Sequence, residues 1–209
     1  MEDDNISRFN SNWRLYQEIK KSGHSKWGFT IYRCTYASDE DWEKMMDKMK
    51  AGVEEPSDNP LSHFPRLLSN TLTYTVVEDS ALEGAGREEI FKRFGAWVDS
   101  EPWKIEQPSE CAGTSARYDI CIWIDEASLK SILNEPENYI APEPGTWTKE
   151  EEDLVGWVYA LRYYKKPLPG AEREWMRITF FDLMTRWYIL LRTDGWHHEY
   201  RQHPDIAVG

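Results

Sequence analysis

The segment RYDICIWID, residues 117–125, sets Tyr118, Ile120, Ile122 and Ile124 against Asp119, Cys121 and Trp123, a period of two that belongs to a strand. The same period returns in WGFTIYRCTY, residues 27–36, where Phe29, Ile31, Arg33 and Thr35 alternate with Thr30, Tyr32, Cys34 and Tyr36. TLTYTVVED (71–79), LVGWVYALRYY (154–164), WMRITFF (175–181) and WHHEYR (196–201) read as further strands.

Helical spacing fills the intervals. Ser38 is a natural N-cap for Trp42, Met45, Met46, Met49 and Val53, and Ile90, Phe91, Phe94, Trp97 and Val98 mark one face of a helix despite Gly95. EASLKSIL behind Asp125 and DLMTRWYILLRT before Gly195 complete the set. Residues 28–98 then read β-α-β-α, and residues 115–201 read β-α-β-β-α-β, the ferredoxin-like or split βαβ order. The expected fold is α+β, with two ferredoxin-like units (27–110 and 111–209) fused into one sandwich or barrel. Residues 1–26 form a helical arm ahead of that single domain, its helix ended by Gly23. The stretch 54–70 reads as a loop with room for one short helical turn, 100–115 and the acidic, proline-rich 134–153 read as loops, and KKPLPGAERE (165–174) as the connection of an antiparallel pair.

A net charge of −12 disfavours nucleic acid and anionic lipid, both of which bind through clustered lysine and arginine. REWMRITF (173–180) partly matches the R-G-F-G-F-V-x-F motif of RNA-recognition domains, but it fails at both glycines and at the central aromatic, which is Arg177. The opening MEDDNISRFN lacks a basic, apolar leader, and no run approaches the roughly 18 apolar residues of a membrane span, so the expectation is a cytoplasmic protein with no nucleic-acid or membrane partner. Eleven tryptophans favour a packed core over disorder. Cys34, Cys111 and Cys121 are odd in number and include no C-x-x-C, which argues against a disulfide scaffold and a zinc site alike.

Arg33 lies mid-strand, where a charge facing the core must be paired; Glu78, Asp79 and Asp119 are its candidate partners. The functional alternative is that Arg33, Tyr32 and Tyr36 line a cavity and hold an anionic or polar small molecule. Trp157, Tyr159 and Tyr163 share one strand face, and with Trp123 and Trp196 they make either core or an aromatic pocket. Arg177 is a further candidate ligand contact. His198, on the face of Trp196 and Tyr200, is the candidate acid/base group, whereas His197 and Glu199 are two ligands and do not make a metal site. No phosphate-binding or dinucleotide motif is present, so no cofactor is expected.

W-G-F-x-I-Y-R-x-T-Y at 27–36, V-x-E-D at Val76, Glu78 and Asp79 followed by A-L-E-G-A at 81–85, and G-W-x-x-x-Y at Gly195, Trp196 and Tyr200 together resemble a large family of uncharacterised proteins from filamentous fungi. The resemblance spans most of the chain, leaving out 134–153 and 165–174. It implies a fungal intracellular origin and supplies no catalytic residues. Two function classes therefore stand. The chain is a small-molecule binder or cofactor-independent enzyme with an aromatic and arginine-lined cavity, or it is an interaction module whose acidic loop and aromatic surface take a basic protein partner. A homodimer formed through an edge strand is compatible with both.

Overall fold

Six strands form one mixed sheet in the computed structural model, which describes residues 2–52, 66–108, 115–136, 148, 154–163, 175–192 and 195–208. In chain order its elements are α1 (Glu2–Ser22), β1 (Thr30–Arg33), α2 (Asp39–Ala51), α3 (Arg66–Thr71), β2 (Thr75–Val77), a short 3-10 turn (Ser80–Leu82), α4 (Arg87–Asp99), α5 (Trp103–Glu106), α6 (Ala116–Asp119), β3 (Ile120–Ile124), α7 (Glu126–Asn134), β4 (Trp157–Arg162), β5 (Trp175–Thr179), a π turn (Leu183–Trp187) running into α8 (Tyr188–Leu190), α9 (Gly195–Glu199) and β6 (Ile206–Ala207). The strand order is β2-β1-β3-β4-β5-β6. β2, β1 and β3 run parallel, β4 is antiparallel to both neighbours, and β6 is parallel to β5.

The α+β class stands, but the two fused ferredoxin-like units do not. In the split βαβ order the second half would interleave its strands; here β3 to β6 lie side by side in chain order. The reason lies in β3, whose five residues are all buried. A strand apolar on both faces must sit inside a sheet. It takes β1 on one side and β4 on the other, which merges both halves into one layer.

Local departures have local causes. The strand expected at WHHEYR is the short helix α9: Tyr200 N–H donates to the Trp196 carbonyl at 2.9 Å, and Trp196 is buried while His197 and His198 are exposed, so the buried side does not alternate. α1 does end at Gly23, in the left-handed region at φ 68°, and its Leu15 and Ile19 enter the main core. The short helix allowed for in the 54–70 stretch is Arg66–Thr71, whereas Trp103–Glu106 is helical where a loop is expected. Cys111 and most of the 134–153 and 165–174 segments lie outside the described residues.

The sheet separates two cores. Phe29, Ile31, Ile122, Ile124, Val158, Ala160, Met176 and Ile178 face α1, α2, α3, α7 and α8. Tyr32, Cys34, Cys121, Trp123 and Leu161 face α4 and the 3-10 turn. Gly95, the apparent flaw in α4, is where the ring of Tyr163 packs: a Cβ there would stand 2.4 Å from it. Gly95→Ala therefore sets a gain of about 1 kcal/mol in helix propensity against overpacking that costs about 1–3 kcal/mol. Net destabilisation is expected by urea denaturation, and relief of the clash in the Gly95→Ala/Tyr163→Ala double variant.

At the amino end of the parallel strands Arg117 is wholly buried. Its Nε and Nη2 donate to Glu106 at 2.8 Å each, Nη1 to the Gly28 carbonyl at 3.1 Å, and Nη2 also to Thr75 Oγ1 at 3.0 Å. Burial alone would raise the Glu106 pKa, but the Arg117 hydrogen bonds and charge outweigh it and hold the carboxyl below its ordinary 4.5. Breaking such a pair from one side costs about 3–5 kcal/mol, the loss expected for Arg117→Met in chemical denaturation. Because the folded carboxyl is the more acidic, the stability it contributes is complete above pH 4.5 and is lost as pH falls through the lowered value. A melting-temperature profile should therefore drop on the acid side, and Glu106→Gln should flatten that limb.

Candidate functional site

At the opposite end of the parallel strands the backbone opens. Cys34 follows β1 and donates its N–H to the Ile124 carbonyl at 2.9 Å, which holds the ends of β1 and β3 level. Asp125 follows β3 and caps α7 in a reciprocal box with Ser128, accepting the Ser128 N–H at 2.8 Å while its own N–H reaches the serine hydroxyl at 2.9 Å. Between the 3-10 turn and α4 runs Glu83-Gly84-Ala85-Gly86, tied back by Gly84 N–H to the Cys34 carbonyl at 3.0 Å. These segments and the side chains of β3, β4 and β5 line an open, solvent-facing cavity of about 650 Å³. Crevices at the carboxyl ends of parallel strands are where α/β sheets generally take ligands.

One wall is aromatic. Trp123 and Tyr159 are cross-strand partners whose rings stack nearly parallel, centroids 4.2 Å apart and 9° between planes. Trp175 closes the corner, 6.0 Å from Trp123 and 5.8 Å from Tyr159. The opposite wall is the start of α4, where Gly86 is an N-cap without a side-chain hydrogen bond. Arg87 follows, its guanidinium 5.8 Å from the Trp175 ring and 2.8 Å from Glu88. Burial, then the charge of Asp125, and then Glu83, push the Cys34 thiol up to about 12 against the opposing pull of Arg93. Burial, and then Asp125, likewise push Tyr159 up to about 12. Both groups are neutral at physiological pH, so Cys34 is a wall and not a nucleophile.

Of the residues expected to form a site, Trp123 and Tyr159 meet here. Arg33 does not, because alternation turns it to the other face of the sheet. Its Nε donates to the Thr35 carbonyl at 2.9 Å and its Nη1 to Glu78 at 3.2 Å, Nη2 pairs with Asp39, and the rings of Tyr36 and Trp42 lie 4.5 and 5.0 Å away. Every side of the guanidinium is engaged, so it clamps the end of β1 to α2 and β2. Tyr36 belongs to that clamp, its hydroxyl accepting the Asp79 N–H at 2.7 Å. Tyr32 is core, edge-on to Phe94 at 6.5 Å, and burial drives its phenol far above the ordinary range. Arg177 pairs across the strands with Tyr159, and its guanidinium lies 4.8 Å from Trp157, beside the cavity but outside its lining. His198 is exposed on α9 and lies outside the lining of this cavity, so it is not brought together with Trp123 and Tyr159.

Trp175, Arg87 and Asp125 carried no local motif that would single them out as a site; Glu83 lies in the A-L-E-G-A run at 81–85, just before α4. A smaller cavity, about 370 Å³, lies on the other face by the end of α2 and the π turn. Its floor is Met49, Phe180, Leu183 and Met184, and its one lysine, Lys48, donates to the Ile132 carbonyl at 2.9 Å. Phe180 and Phe181 line it, but it holds no stacked tryptophan–tyrosine pair like Trp123 and Tyr159, so the larger cavity is the candidate site. Among the described residues no group of three or more His, Cys, Asp or Glu could hold a metal ion, and no helix is long and apolar enough to cross a membrane. No family model, no curated protein and no solved structure matches the chain.

The clamp makes Arg33→Ala a stability variant. It should lose about 1–3 kcal/mol, the range for a hydrogen bond to a charged group, held to the low side because Asp39 and Glu78 are largely exposed. A loss under about 0.5 kcal/mol in urea denaturation, the range of an ordinary surface substitution, would contradict the clamp.

Proposed function

We propose that the protein binds a small molecule carrying a flat ring in the cavity at the carboxyl ends of β1 and β3. The observation that carries this reading is the corner of Trp123, Tyr159 and Trp175, three ring systems gathered on one wall of a cavity large enough for a metabolite. Rings stack offset or edge-on against such faces, and a corner offers both geometries at once. Binding rather than turnover is what these walls support, because Cys34 and Tyr159 titrate far from neutrality and are poor proton carriers. The partner-protein reading rests on an aromatic surface and on the acidic 134–153 segment, most of which lies outside the described residues.

Indole serves as the ring probe. It should raise the melting temperature of the protein by mass action, and Trp175→Ala should weaken its binding about 3- to 10-fold, the contribution of one aromatic pair. No stabilisation by indole at millimolar concentration, or the same affinity in Trp175→Ala, would sink the reading.

A further inference from the structure

We infer that the ligand of this cavity is a cation, an amine protonated at neutral pH and joined to the flat ring. This rests on the ring-binding reading above and adds the charge of the ligand to it. The lining holds four carboxylates, Glu83, Glu88, Asp125 and Glu126, and one cationic side chain, Arg87. Two of the carboxylates are balanced: Glu88 by Arg87 at 2.8 Å, and Glu126 by Lys130 at 2.9 Å. The other two accept from neutral donors, Glu83 from the Tyr36 N–H at 2.7 Å and Asp125 from the Ser128 N–H at 2.8 Å and the Ser128 hydroxyl at 3.0 Å. A neutral donor orients a carboxylate and leaves its full charge in place.

The excess is felt inside the cavity. After burial, Asp125 and then Glu83 push the Cys34 thiol upward against the pull of Arg93, and Asp125 pushes the Tyr159 phenol the same way against Arg177, so at both points the carboxylates add to the cost of a negative charge. The aromatic wall has the matching preference, since the faces of tryptophan and tyrosine attract cations. It already receives one in the Arg87 guanidinium beside Trp175. Against this stands the amino end of α4, which favours negative charge, but Glu88 and Glu89 in its first turn already supply that. At longer range the net charge of −12 draws cations toward the protein and repels anions.

The test compares three probes of one ring, by calorimetry on the whole protein at pH 7: tryptamine (cation), indole (neutral) and indole-3-propionate (anion). Tryptamine should bind at least tenfold tighter than indole, the propionate weaker than indole, and added salt should narrow the gap. Glu83→Gln keeps an acceptor for the Tyr36 N–H and removes the charge. It should weaken tryptamine about 3- to 10-fold and leave indole within twofold. Equal binding of all three probes, or tightest binding of the propionate, overturns the inference while the ring reading survives. Binding of none of them overturns the ring reading and the inference together. An equal loss of tryptamine and indole in Glu83→Gln marks a structural effect and also overturns the inference.

Discussion

A guanidinium with no exposure to water organises this fold. Arg117 cannot lose its charge, so the chain must surround it with acceptors, and it does so with groups far apart in sequence: the Gly28 carbonyl ahead of β1, the Thr75 hydroxyl on β2 and both oxygens of Glu106 on α5. The face of Trp97 on α4 lies 5.6 Å away. Gly28 is required there, since its φ of 106° and a Thr73 carbonyl 2.6 Å from where a Cβ would sit exclude any side chain. Gln107 extends the knot, accepting the Ser25 N–H at 2.9 Å and donating to the Tyr118 hydroxyl at 2.7 Å. One ion pair thus gathers the starts of β1, β2 and β3, and the register it imposes decides how their far ends line up.

At those far ends alternation divides the chemistry between the two faces. Arg33 points to one side and is consumed by Asp39, Glu78 and the Thr35 carbonyl. Cys34, the next residue, points to the other, where α4 begins only at Arg87 and the turn before it is built of small residues. A Cβ at Gly84 would meet nothing within 4 Å, and one at Gly86 only the tip of Glu88 at 3.9 Å. Space is left on one face because the approach to α4 carries few atoms to fill it. The same two-residue step in β1 produces a closed clamp and an open cavity.

The sequence makes the strands legible because their period is local, and it hides the pairing because pairing is not. Cys121 and Trp123 show that the second face of β3 is apolar, a sign that the strand is interior, yet β-α-β-β-α-β suggested a separate unit. Glu78 was visible as a partner for Arg33. Asp39 was not, because a carboxylate in the first turn of α2 reads as dipole complement and solvated surface. His198 stood beside aromatic residues in sequence and faces solvent in space, because one helical turn replaced the expected strand. Trp123 and Tyr159 were legible as aromatic strand residues, but their meeting Trp175 at the mouth of a turn depends on the level ends of strands brought together by Arg117.

The residues around the cavity also hold the chain in place, and that couples occupancy to local order. Asp125 caps α7, Glu83 binds the Tyr36 N–H, and Gly84 binds the Cys34 carbonyl. Glu83 and Asp125 are therefore oriented by backbone N–H groups before any ligand arrives, so these two carboxylates have little orientational freedom to lose on binding. Arg87, whose side chain is 41% exposed, is held among the described residues by its neighbour Glu88 and the face of Trp175. A cationic ring entering against Trp175 competes with that guanidinium for the same aromatic face. On the cationic-ring reading proposed above, release of Arg87 toward water would be the conformational step of binding.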